Sequence, residues 1–327
     1  MRETSSGMIS IAEAAKAADL STVLRNLLAA VQNRLNRFHV FAIVRLVWLL
    51  LPAVASAQIL TENAGVTSPE TPTLREYFTY FESKNLTDVR LNHQLLVGLD
   101  SRTELRLTIP TILRRRASFR GFFGATDSEN MAGFGDVSLR LKYSLSQTDE
   151  VMASTRWAIL AELVAPTGDH DKKGGGGRIA RRLQLGSGGW GIGIGTAYSL
   201  IRNRHRFSTD VYFRHRTRHD GERMGQSFDW SIAYWYRLTP AKHDPENETT
   251  EVRGVIEILN SYRIEGRIGD HGADDQGLQI WVAPGIQIYP RRDLLIEASV
   301  QIPAIDHIDD SLGDRRWAFL IAVKFLF

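Results

Sequence analysis

From residue 73 onward, apolar and polar side chains alternate with a period of two, in runs of about ten residues separated by turns rich in Gly, Asp, Asn and Arg. The last run is the clearest. In RRWAFLIAVKFLF, residues 315–327, Trp317, Phe319, Ile321, Val323, Phe325 and Phe327 share one face. Arg316, Ala318, Ala322 and Lys324 share the other, with Leu320 and Leu326. Similar runs occur at 293–303, 277–289, 252–263, 226–238, 205–217, 189–201, 154–165, 134–146, 103–113 and 89–99. A further run at 73–83 is aromatic and ambiguous in phase. These twelve runs predict an all-β fold.

Connections such as 100–102, 202–204 and 290–292 are short, whereas 114–133, 166–188, 218–225, 264–276 and 304–314 are mostly longer. Even parity with short turns at one end and long loops at the other predicts a 12-stranded antiparallel transmembrane β-barrel of the outer-membrane type, both termini in the periplasm. A sheet survives in hydrocarbon only when it closes, with its apolar side outward. Glu104, Arg106, Asp136, Arg140, Lys142, Glu162, Asp210, Arg214, Asp229, Arg237, Glu257, Glu297 and Lys324 then fall on the inside face, and all but Lys324 are taken as candidates for lining the lumen and setting selectivity. A soluble β-sandwich would reverse the two faces. Aromatics near strand ends (Tyr143, Trp157, Tyr236, Tyr289, Trp317) favour the barrel. The terminal strand, with Trp317, Phe319, Phe325 and Phe327, resembles the assembly signal of bacterial outer-membrane barrels, which implies the barrel-assembly machinery as a partner.

The segment FHVFAIVRLVWLLLPAVASAQ, residues 38–58, follows Arg34 and Arg37 and places Ala-Ser-Ala at 55–57. This is the pattern of a cleaved signal peptide, so residues 1–57 are expected to be a leader with an amphipathic extension at 9–33. The leader carries six Lys/Arg and three Asp/Glu, and removing it leaves 34 of each. The basic isoelectric point of about 9.1 is therefore the leader's, and a neutral remainder gives no electrostatic case for nucleic acid. Residues 58–72 are expected to form a periplasmic N-terminal arm, extended by Pro69 and Pro72; the sequence leaves open whether it enters the lumen. The absence of cysteine excludes disulfides and thiolate chemistry.

Four stretches resemble one family: LLVGLDSRTELRLTIPT (95–111), GFGDVSLRLKYSL (133–145), AELVAPTGDHDK (161–172) and GSGGWGIGIGTAYSL (186–200). In this order they resemble outer-membrane barrels of the MetA-pathway of phenol degradation, a transporter-like family. The likeness covers about residues 75–327, with a longer loop, GGGGRIARRLQL, inserted before Gly186. It implies a channel or uptake role, hydrophobic or aromatic solutes, and no catalytic residues.

The remaining chemistry is weaker. Gly174–Gly177 lacks the Lys-Ser/Thr of a phosphate loop. Gly191, Gly193 and Gly195 share one strand face and are read as relieving crowding inside a narrow barrel. Asp169, His170 and Asp171, or Asp306, His307, Asp309 and Asp310, match no calcium-loop spacing and are read as solvated acidic loops, so no metal and no cofactor are expected. A lipid hydrolase would need a base beside a nucleophile, but His93, His205 and His215 have no Gly-x-Ser-x-Gly or His-x-Ser element. The expected partners are outer-membrane lipid, lipopolysaccharide (through Arg114–Arg116 and Arg178–Arg182) and a small-molecule solute. Two readings stay open: a channel for small solutes in the cell outer membrane, or a closed barrel with a structural or surface-binding role.

Overall fold

A computed structural model describes residues 61–327 apart from 121–125, 175–176, 242–248, 274 and 309–310. The expected leader (1–57), its amphipathic extension, the first residues of the arm, and Asp309 and Asp310 lie outside the described residues.

Thirteen long strands build one sheet: β1 Thr73–Ser83, β2 Leu86–Gly98, β3 Thr103–Arg120, β4 Thr126–Phe134, β5 Val137–Glu150, β6 Ala153–Ala165, β7 Gly191–Arg202, β8 His205–Arg216, β9 Ser227–Thr239, β10 Glu251–Arg263, β11 Gly277–Arg291, β12 Leu294–Asp306 and β13 Arg315–Leu326. All neighbours are antiparallel, and β1 pairs with both β2 and β13. The barrel wall therefore closes on itself, and β4, which lies beyond the end of β5 and pairs β3 alone, keeps the one unpaired long edge among the described strands. β4 and β5 both pair β3, one beyond the other, and act as two halves of a single stave. The barrel thus has twelve staves.

The division of that stave has a local cause. β3 pairs β5 as far as Thr108 and β4 from Thr111. Between them Pro110 has no N–H to give the ladder. Gly135 donates to the Pro110 carbonyl at 2.8 Å, and a Cβ on Gly135 would come within 2.9 Å of the proline ring. The expected loop at 114–133 is accordingly a correction: β3 continues to Arg120 and returns as β4, because the ladder carries on past the apolar band. Elsewhere the predicted runs coincide with the strands to within a few residues.

The alternation sorts the faces. Ile194, Ile192, Trp157, Phe228, Trp230 and Ile256 point outward and are 43–61% exposed. So many exposed large apolar groups are foreign to a water-soluble surface and suit a hydrocarbon surround. Inward, small residues line the wall: Ala158, Ala197, Ser208, Ala233, Ala283 and Ala322 are fully buried. They leave room for the long charged side chains beside them. At the end where β1 starts and β13 finishes, the β2–β3, β5–β6, β7–β8 and β11–β12 turns are tight; at Asp100 the amides of Arg102 and Thr103 donate to the carboxylate, which holds it below its ordinary pKa. Among the described residues, no helix is long and apolar enough to cross a membrane.

Gly193 and Gly195 do relieve crowding. On the neighbouring β8, Tyr212 turns inward and lies flat across them. A Cβ at Gly193 would sit 2.5 Å from the Tyr212 ring, and one at Gly195 2.3 Å. Gly195→Val should therefore displace Tyr212 and destabilise the barrel by about 1–3 kcal/mol, measured as an earlier loss of heat-modifiable gel migration, whereas Ile194→Val on the lipid side should leave that transition nearly unchanged.

Candidate functional site

The lumen is organised around the N-terminal arm, which runs inside the barrel. Its backbone is held by wall side chains. The Thr61 N–H donates to Glu257 Oε1 (3.0 Å), Glu62 N–H to Asp210 Oδ2 (2.7 Å), Ala64 N–H to Ser199 Oγ (2.9 Å) and Thr67 N–H to Glu104 Oε2 (2.9 Å). A strand-like segment without a β partner must satisfy its amides this way. The arm also needs a close approach at Gly98, where a Cβ would fall 2.2 Å from the Thr67 carbonyl oxygen.

Glu62 is the centre of the attachment. Arg106 reaches both of its oxygens at 2.8 Å, Arg140 donates at 2.9 Å, and Lys142 Nζ lies at 2.7 Å. Lys142 also donates to the Gly65 carbonyl (2.9 Å) and pairs with Glu104 (3.3 Å). Ala64 is fully buried against Ala158, Leu160, Ala197 and Tyr212. The arm thus supplies the carboxylate that buried Lys142 and the half-buried Arg106 and Arg140 share.

Beside the arm remains a cavity of about 730 Å³. Of the inward charges expected from the sequence, Glu104, Arg106, Arg140, Lys142, Glu162, Asp210, Arg214 and Glu297 line it. Glu162 pairs with Arg140 (2.9 Å) and Arg214 (3.5 Å), and Glu297 with Arg75 (3.2 Å). Glu257 is fully buried beneath the arm. Asp229 accepts from Arg214 and from Ser261 Oγ (2.6 Å), while Arg237 lies 4.0 Å from Glu251. Asp136, Asp229, Arg237 and Glu257 do not line the cavity, a correction to the expectation: the arm covers Glu257, Arg214 and Ser261 take up Asp229, Arg237 turns toward Glu251, and the loop end holds Asp136. The lining also includes Arg156 and the rings of Tyr212 and Trp235, whose phase along their strands is inward, and Glu62, Arg75, Arg206 and the rings of Tyr77 and Tyr289, which were not expected there. Arg206 was legible as the inward neighbour of Phe207; Arg75 was hidden by the ambiguous phase of β1.

Each of those four rings carries an arginine over its face. Arg75 lies 4.9 Å from the Tyr77 centroid, Arg214 4.4 Å and Arg140 5.1 Å from Tyr212, Arg206 5.3 Å from Trp235, and Arg253 4.5 Å from Tyr289. Such stacking orients guanidinium groups along the wall. Counting the lining side chains gives eight cations (Arg75, Arg106, Arg140, Lys142, Arg156, Arg206, Arg214, Lys324) against five carboxylates (Glu62, Glu104, Glu162, Asp210, Glu297). Arg206 and Lys324 have no carboxylate partner among the described residues.

Asp136 instead ties the recurring glycine motifs together at the end of the barrel opposite the start of β1 and the close of β13. It accepts from Gly168 N–H (3.1 Å), Ser187 N–H (2.8 Å) and Ser187 Oγ (2.5 Å). Thr167 Oγ1 donates to the Gly135 carbonyl (3.1 Å) and accepts from Val137 N–H (2.9 Å). Gly168 and Gly186 touch backbone to backbone, so a Cβ on either would overlap the other. Residues 133–136, 166–169 and 186–188 therefore form one knot. In the loops beyond it, burial pushes the Asp275 carboxyl up, but the Gly266 amide and Arg182 outweigh burial and hold it below its ordinary value.

The C-terminal aromatics sit on the closing strand. Trp317 stacks with Tyr80 at 5.0 Å between centroids, Phe319 meets Phe78 at 6.4 Å, Phe325 faces Leu74, and the Phe327 amide donates to the Pro72 carbonyl (3.0 Å).

On the lipid-facing wall, His93 Nδ1 lies 2.6 Å from Glu76 and Nε2 3.2 Å from Thr111 Oγ1. This is the connectivity of an acid–base–nucleophile chain. The amides around it are committed to the β2–β3 ladder, which leaves no backbone pair to hold an oxyanion. His205 and His215 contact Tyr234 and Gln226 instead.

A family model described as "Putative MetA-pathway of phenol degradation" matches residues 79–288. Among solved structures, an outer membrane channel from Pseudomonas putida F1 is similar with a TM-score of 0.64 at 14% identity, covering 83% of this chain and all of that one. The NanC porin (TM-score 0.43, 10% identity, 77% of this chain and 98% of that one) and the beta domain of the Bordetella autotransporter BrkA (0.42, 12%, 79% and 99%) are more distant. No curated protein matches significantly.

Glu62→Gln removes the charge that Arg106, Arg140 and Lys142 share. Breaking a buried ionic cluster from one side costs about 3–5 kcal/mol. The arm should become cleavable by protease in the folded protein, while the barrel keeps its heat-modifiable migration.

Proposed function

The chain belongs to the family described as "Putative MetA-pathway of phenol degradation", and from that premise we propose that it is an outer-membrane channel for small anionic solutes, aromatic acids included, with its N-terminal arm narrowing the path. The observation that carries this reading is the cavity beside the arm, whose charged lining is cationic by eight to five. A low-dielectric wall focuses such an excess onto the passing ion. Rings of Arg and Lys are the usual device for anion pathways. The arginine-faced Tyr77, Tyr212, Trp235 and Tyr289 add flat apolar surface beside positive charge, which suits a solute that is both aromatic and a carboxylate. The fold likeness to a solved outer membrane channel is consistent with this role. The outer membrane is the compartment in which a closed, apolar-walled barrel of this kind operates, with the start of β1 and the end of β13 on the periplasmic side and the glycine knot outside.

The arm favours a second reading. By filling part of the lumen with buried ion pairs, it suits a closed barrel whose work is structural or lies in its outer loops. Bilayer recordings separate the two. Under a KCl gradient the protein should show anion-selective reversal potentials, and Arg206→Gln with Lys324→Gln should move them toward zero. Deleting residues 61–67 behind an intact leader should raise single-channel conductance severalfold. Silence from both the full chain and the deletion leaves the closed barrel as the reading.

A further inference from the structure

Beyond the glycine knot, two loops bring together a set of ligands that the lumen does not use. His170 lies in the segment between β6 and β7, and His219 and Asp220 in the turn between β8 and β9. Their ring nitrogens face each other, with Nε2 to Nε2 at 3.0 Å, and Asp220 Oδ2 is 3.3 Å from His219 Nε2. The three ligand atoms all lie within 4.8 Å of one another.

Several features hold this geometry in place. Both rings rest on Gly188, whose φ is +71°, and a Cβ there would come within 2.7 Å of His170 and 2.8 Å of His219. Buried Arg181 donates to the Ser187 carbonyl (2.9 Å) and to the His219 carbonyl (2.8 Å), clamping one loop to the other. It also pairs with Glu222 (2.9 Å). His170 Nδ1 lies 3.3 Å from the Gly168 carbonyl oxygen. That contact places the proton on Nδ1 and leaves the lone pair on Nε2, as metal-binding histidines are commonly arranged.

We propose that His170, His219 and Asp220 form a binding site for a divalent transition-metal ion of the zinc type, which staples the two loops. Two imidazoles and one carboxylate with an open position are a familiar ligand set for such ions. Without metal, the His219 Nε2 proton bridges the two rings; the metal replaces that proton, which moves to Nδ1 or to solvent. Two ligands at about 2.0–2.1 Å in tetrahedral array lie roughly 3.3 Å apart. The rings therefore need to separate by only a few tenths of an ångström, and the half-exposed Asp220 side chain swings in. Arg178 competes, since its Nη2 lies 3.2 Å from Asp220 Oδ2.

The test is a titration of tag-free, full-length protein in detergent micelles, with Zn²⁺ followed by calorimetry and Co²⁺ by visible absorption. Wild type should take up one ion per chain. His170→Gln and His219→Gln should weaken binding by about tenfold to a hundredfold, Asp220→Asn should also weaken it, and Arg178→Ala should tighten it. No saturable binding in the wild type overturns the proposal, as does unchanged affinity in the His170→Gln/His219→Gln double variant. Should a histidine variant lose heat-modifiable migration, Asp220→Asn and Arg178→Ala decide alone, because both residues are at the surface. Opposite shifts in these two support the site, and equal affinities overturn it. The proposal stands apart from the channel reading and is unaffected by conductance.

Discussion

The structure depends on one constraint: in hydrocarbon every backbone amide must find its partner within the chain. β1 satisfies it by pairing with β13 as well as β2. Once the sheet is shut, period-two alternation has only one consistent orientation. Ile194, Trp157 and Phe228 face the lipid, and the alternate positions face a narrow interior where charge tolerates burial only if it is matched. The inward Arg106, Arg140 and Lys142 follow from this geometry. So does their need for more negative charge than Glu104 and Glu162 supply.

The arm meets that need from outside the wall. Glu62 completes the cluster, and the arm's own amides are answered by Glu257, Asp210, Ser199 and Glu104. Wall and arm are therefore complementary in both charge and hydrogen bonding. Carboxylates facing arm amides are acceptors placed for a segment that forms no ladder of its own. Among the described residues, Arg206 and Lys324 line the cavity without a carboxylate partner. Compensation is concentrated where the arm lies, and the uncompensated positive charge faces the remaining space.

Much of this was legible along the chain. The number of staves, their antiparallel order and the inward placement of Glu104 through Glu297 follow from alternation, which reports faces directly. Alternation does not report depth along the barrel. Asp136 has the phase of a lumen residue yet lies at the loop end, where Gly168 and Ser187 claim it. Nor does it predict ladder that continues past the apolar band, so β4 was read as loop. The arm has no period, and its path inside depends on partners as distant in sequence as Glu257. The family-like motifs were visible, but their physical content was not: Gly135 answers Pro110, Gly168 answers Gly186, and Gly193 and Gly195 answer Tyr212, each pair set by contacts that no spacing rule encodes.

Those glycine contacts also explain how a barrel with a crowded interior keeps an organised outer end. Where two backbones meet at Gly168 and Gly186, the segments that follow leave the wall at fixed angles. His170 is two residues from one of these glycines, and Gly188 is two residues from the other. Arg181 then fixes the neighbouring turn through the His219 carbonyl and the Glu222 carboxylate. Side chains 49 residues apart meet at 3.0 Å because three rigid anchors lie close behind them, Asp136 for the knot, Gly188 for the rings and Arg181 for the turn. The precision of that meeting is inherited from the barrel rim: a loop tethered at so many points has few ways to part its imidazoles, which is the preorganisation a ligand set requires.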